Sequence, residues 1–150
     1  MDGIPTGWHC HSNGGGLVED TAKVDQTAFV GYNARVYGHA RVSGCARVYH
    51  DARVYGDARV SGNAWVYANA WVYGNAQVRG DARVSGRVYG IMRSDEYCFV
   101  AVPCADGINR VIAGCRYFTE AQAREHWRGG TKLGDETMLI LDFFKFTGQL

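Results

Sequence analysis

The chain has 150 residues, 16 Lys and Arg against 15 Asp and Glu, and a formal net charge of +1. A balance so near neutral argues against partners held by bulk electrostatics, so neither nucleic acid nor a membrane surface is expected. The length fits one ordinary domain with its own core. No apolar run reaches a membrane-spanning length, and the opening MDGIPTGWHCHSNGGG lacks a charged-then-apolar signal pattern, so the expectation is a soluble, cytoplasmic protein.

Residues 1–14 read as an irregular cap. His9, Cys10 and His11 are metal-ligand types, but neighbours on an extended chain point in opposite directions and no fourth ligand accompanies them; no metal is expected. The five cysteines (Cys10, Cys45, Cys98, Cys104, Cys115) are odd in number and include no CxxC pair, which fits reduced thiols.

From Gly15 the chain becomes periodic. Asn33 to Gly62, NARVYGHARVSGCARVYHDARVYGDARVSG, is one hexapeptide written five times. Valine recurs at 18, 24, 30, 36, 42, 48, 54, 60, 66, 72, 78 and 84, and a Gly or Ala precedes each by two positions. That makes twelve consecutive units up to Gly86. Ala and Val, one residue apart, point to the same side of a strand, and the residues between and after them point to the other. Gly followed by Asn or Asp, as at Gly56–Asp57 and Gly74–Asn75, supplies a tight corner. One strand of this kind cannot bury itself; stacked turns can.

These units resemble the hexapeptide repeats of left-handed parallel β-helix proteins, in which three hexapeptides make one triangular coil of 18 residues. The resemblance implies a mainly β fold: a left-handed parallel β-helix of about four coils over residues 15–90. The winding sense belongs to the resemblance alone. His11-Ser-Asn13-Gly-Gly-Gly16 followed by NARVYG is similar to short bacterial and phage repeat proteins of unassigned function.

Adding 18 repeatedly sorts the outward residues into three faces. Face one carries Leu17, Arg35, Arg53 and Trp71 in one row, and Glu19, Tyr37, Tyr55 and Tyr73 in the next. Face two carries Lys23, Arg41, Arg59 and Gln77, then Asp25, Ser43, Ser61 and Arg79. Face three carries Phe29, Arg47, Trp65 and Arg83, then Gly31, Tyr49, Tyr67 and Ser85. Face two has no aromatic side chain. Two readings of faces one and three fit. In one, Tyr and Trp merely suit a pleated surface while Arg covers neighbouring rings. In the other, Arg35, Tyr37, Arg47, Tyr49, Arg53, Tyr55, Trp65, Tyr67, Trp71 and Tyr73 form a binding surface, because exposed aromatics and arginines anchor interfaces. The two faces meet at His50–Asp51 and Ala68–Asn69.

After Gly86 the register breaks, Val88 arriving two residues early. Residues 91–150 read as a ββαα cap and oligomerisation module. Tyr97–Pro103 and Asn109–Cys115 are two strands around an Asp106–Gly107 turn. Thr119-Glu-Ala-Gln122 is a capping box for a helix to about Trp127. A second helix, capped by Asp135, is apolar nearly all round and is expected to be buried between surfaces.

The resemblance also implies an alternative activity, since many hexapeptide-repeat proteins are trimeric acyltransferases that use acetyl-CoA and a basic histidine at a subunit boundary. Here His39 and His50 occupy different corners, and no inserted loop interrupts the twelve units. The expectation is therefore a non-enzymatic binding or scaffold protein with no catalytic residue and no cofactor, phage- or prophage-encoded, with inhibition of a defence system as one reading. Its expected partners are copies of itself, a trimer favoured, and a host protein or a small phosphorylated ligand.

Overall fold

The computed structural model describes residues 3–150; Met1 and Asp2 of the N-terminal cap lie outside the described residues. Strand β1 (Trp8–Cys10) leads into a first coil of β2 (Leu17–Glu19), β3 (Lys23–Val24) and β4 (Phe29–Val30). The second coil holds β5 (Arg35–Val36), β6 (Arg41–Val42) and β7 (Arg47–Val48), and the third β8 (Arg53–Val54), β9 (Arg59–Val60) and β10 (Trp65–Val66). The fourth holds β11 (Trp71–Tyr73), β12 (Gln77–Val78) and β13 (Arg83–Val84), and β14 (Arg87–Tyr89) adds one more rung to face one. The three faces are parallel sheets in the orders β1-β2-β5-β8-β11-β14, β3-β6-β9-β12 and β4-β7-β10-β13, with β1 alone antiparallel.

The register is 18 residues on every face, as Val36 against Val54 and Val48 against Val66 show. The last rung is the exception: Val72 meets Val88, so the final turn closes in 16 residues. That is the early valine of the sequence. Inside, Ala28 to Ala82 and Val30 to Val84 at their six-residue intervals are wholly or almost wholly shielded from water. Each such valine contributes roughly 1.5–3 kcal/mol of burial, which makes the prism interior the main driving force of the fold.

The corners are left-handed turns. Gly38, Gly44, Gly56, Gly62, Gly74 and Gly80 have φ between 63° and 68°. A Cβ on Gly56 would come within 3.1 Å of the Gly74 nitrogen in the coil beneath, so both conformation and space favour glycine there. At the third corner the same column reads Tyr32, His50, Ala68 and Gly86 instead. His50 and Ala68 keep the left-handed turn at φ 56° despite their side chains.

Successive coils are joined by parallel backbone ladders, as where the Arg35 N–H donates to the Ala52 carbonyl of the coil that follows. The N-terminal and C-terminal edges each present backbone groups that need partners. The HSNGGG motif answers the first: His11 Nε2 donates to the Ala28 carbonyl at 2.9 Å and Asn13 Nδ2 to the same oxygen at 3.1 Å. Gly16 lies so close to the stack that a Cβ would sit 2.3 Å from the Gly31 oxygen. At the other edge the Arg83 N–H donates to the Pro103 carbonyl of the C-terminal cap.

That cap is an antiparallel sheet of β15 (Ile91–Met92), β16 (Cys98–Val102), β17 (Arg110–Ala113) and β18 (Arg116–Thr119), followed by α1 (Glu120–His126) and α2 (Lys132–Phe146). It has two strands more than the ββαα reading, β15 of only two residues and β18 turned back on β17 at Gly114, whose φ is 57°. Val100, Val102 and Ile112 close the end of the prism, while Phe99, Ala101, Val111 and Ala113 pack against Ala123, Leu141 and Phe144 of the helices. The Thr119–Gln122 capping box forms on α1, whereas α2 is capped by Thr131, not Asp135; Asp135 accepts from the Gly130 N–H at 2.8 Å. The expected burial of α2 between surfaces is corrected. Ile140, Leu141 and Phe144 are buried, but Leu139, Phe143 and Phe146 are exposed, because only one flank of the helix meets the sheet.

Candidate functional site

Faces one and three place the ten residues singled out from the sequence where the 18-residue period puts them. On face one the phenol rings of Tyr37, Tyr55 and Tyr73 stack at 4.9 and 5.4 Å between centroids. Trp8 extends this ladder at one end (5.9 Å), and Tyr89 and then Phe144 of α2 extend it at the other (5.8 and 6.4 Å). Tyr49 and Tyr67 repeat the stack on face three at 5.6 Å. Burial first, then the neighbouring phenols, push Tyr55 above its ordinary pKa, and the same two causes raise Tyr49.

The arginines lie in the adjacent rows. Trp71 is sandwiched between Arg53 (5.7 Å) and Arg87 (5.0 Å), and Trp65 between Arg47 (5.7 Å) and Arg83 (4.2 Å). This cation–π layering accounts for much of the Arg–Trp pattern without any partner. Arg35 belongs to no such sandwich. It stands above Arg53 in register, and the two line a cavity of about 420 Å³ with Cys10, Tyr32, Asn33 and Asp51. The cavity opens at the third corner, under the N-terminal segment.

Three arginines of the C-terminal cap are tied down. Arg93 grips Asp95 at 2.7 Å, Arg110 grips Asp106 at 2.7 Å, and Arg124 bridges Glu120 and Asp142. Among the described residues no carboxylate lies within ion-pair distance of Arg35, Arg47 or Arg53. The sequence reading missed Tyr32 and Asn33. The signal was present in the corner column, where His50 and Ala68 replace the glycine kept at the other two corners of their coils.

The remaining candidates separate. His9 bonds Asp20 through Nδ1 at 2.8 Å while His11 turns inward to Ala28. His39 and His50 stand exposed on different corners, and His50 packs edge-on to Tyr49 at 4.8 Å. Cys104 is buried with its Sγ 3.0 Å from Tyr117 Oη, and burial, then this contact, push the phenol up to about 12. His126 packs on Phe118 and Trp127.

Coils, faces and corner column together define a β-solenoid repeat protein. The family model described as the YdcK Beta solenoid repeat matches residues 34–50, 52–68 and 58–74, all within the second to fourth coils. Comparison with curated proteins and with solved structures gives no match. Among the described residues no helix is long and apolar enough to cross a membrane.

Proposed function

We propose that this β-solenoid is a non-enzymatic binding and scaffold protein that self-assembles through faces one and three, as a trimer by preference, and uses the same arginine–aromatic surface for a host protein or a small phosphorylated ligand. The observation that carries the reading is the inequality of the three faces: an aromatic ladder from Trp8 to Phe144 runs the length of face one, and face two has no ring at all. Rigid aromatic surface costs little side-chain entropy on association, and arginine beside it adds directional donors. A phage or prophage setting, with a host defence protein as target, extends the same reading. The acyltransferase alternative draws no comparable support, since neither His39 nor His50 has a side-chain hydrogen bond among the described residues and no loop leaves the coils.

Size-exclusion chromatography with light scattering tests it. Trp71→Ala and Tyr55→Ala are expected to lower the assembled mass, and Arg59→Ala on face two to leave it unchanged. A wild-type chain that runs as a monomer, or an Arg59→Ala loss equal to that of Trp71→Ala, would overturn the self-assembly.

A further inference from the structure

We infer that the cleft at the third corner binds a small organophosphate whose phosphoryl group is bridged by Arg35 and Arg53 and whose neighbouring hydroxyl or amino group donates to Asp51. This rests on the binding reading above and gives it a place and a ligand class.

Arg35 and Arg53 pair in register on adjacent rungs, about 4.8 Å apart. Like charges in register repel, and among the described residues no carboxylate lies within ion-pair distance of either. A phosphoryl dianion between them removes that repulsion and accepts from both planar forks, the geometry for which guanidinium is suited. The cleft itself, about 420 Å³, is the size of a small-ligand site.

Asn33 and Asp51 line the same cavity, and neither side chain is engaged by a described residue. Asn33 can donate to a phosphoryl oxygen. Asp51 only accepts, so it opposes bare phosphate and rewards a donor carried beside the phosphate. Tyr32, 77% exposed at the mouth, offers a ring face to the rest of the ligand. The corner supports the site independently of its charges. Side chains are kept at His50 and Ala68, both in left-handed turns, where the other two corners of the same coils carry glycine. Residues retained in such backbone conformations concentrate where a binding surface is built.

Face two supplies the internal control. Arg41 and Arg59 repeat the in-register pair, away from this corner and its overhanging N-terminal segment.

The test is isothermal titration of the full chain with inorganic phosphate, pyrophosphate, ribose 5-phosphate and AMP. Ribose 5-phosphate is expected to bind more tightly than inorganic phosphate. Arg35→Gln and Arg53→Gln should each weaken it about tenfold or more, and Arg41→Gln should not. Asp51→Asn should act in opposite senses, tightening inorganic phosphate and weakening ribose 5-phosphate. AMP separates the ligand sources: tighter binding than ribose 5-phosphate identifies a nucleotide, equal binding a sugar phosphate. No binding of any probe, wild-type affinity in Arg53→Gln, or an equal loss in Arg41→Gln would overturn the site. Self-association that persists without probe binding sinks the cleft alone; probe binding by a monomer keeps the cleft and removes the self-assembly.

Discussion

Alanine and valine alternate inside this solenoid because a triangular prism has room for one small and one branched group per side of each coil. The corner residues obey a different rule, set by backbone conformation. Ala68 occupies a left-handed turn at φ 56°, a conformation that disfavours any Cβ. Replacing it with glycine should therefore raise stability by about 1 kcal/mol, read as a higher urea midpoint with unchanged slope. A lower midpoint would mean that the corner column is not held at a conformational cost. The residue scale is also where legibility was greatest. Every 18-residue register pair on the three faces follows from counting valines, whereas the antiparallel β1–β2 pair and the pairing of Val72 with Val88 do not. The cleft was less legible, because the signal at His50 and Ala68 is the absence of glycine in a column, and that column appears only after the coils are stacked.

At the level of elements, stack and cap are stabilised differently. The coils depend on apolar filling and backbone ladders, whereas the cap is laced by ion pairs. The Arg93 guanidinium hydrogen-bonded to Asp95 holds its carboxyl at about 2, and Arg110 does the same for Asp106. Both values lie below the ordinary 3.8 of an unfolded aspartate. The stability these groups add is thus complete above about pH 4 and is lost as pH falls through 2. Asp95→Asn should lower the melting temperature at pH 5 and leave it unchanged near pH 2; an equal deficit at both would assign the effect to packing. Arg93 also donates to Thr137 at 3.0 Å, so this ion pair fastens the β15–β16 turn to α2. The cap was only partly legible in sequence. Its capping box and central hairpin have strong local signatures, but β15 and β18 gain their strand character from their neighbours. The exposed flank of α2 follows from where the helix sits on the sheet, which composition does not encode.

The whole molecule is a prism with closed ends and three chemically unequal sides. His11 and Asn13 satisfy the carbonyls at one end, the antiparallel cap covers the other, and neither leaves an open edge of the kind that drives runaway strand pairing. What distinguishes the sides is aromatic content, and the account places self-contact on faces one and three. A photoreactive benzoylphenylalanine introduced at Tyr55 on face one, or at Ser61 on face two, tests this most directly. The account predicts covalent oligomers from position 55 and none from position 61. Cross-links from position 61, with position 55 silent, would contradict it.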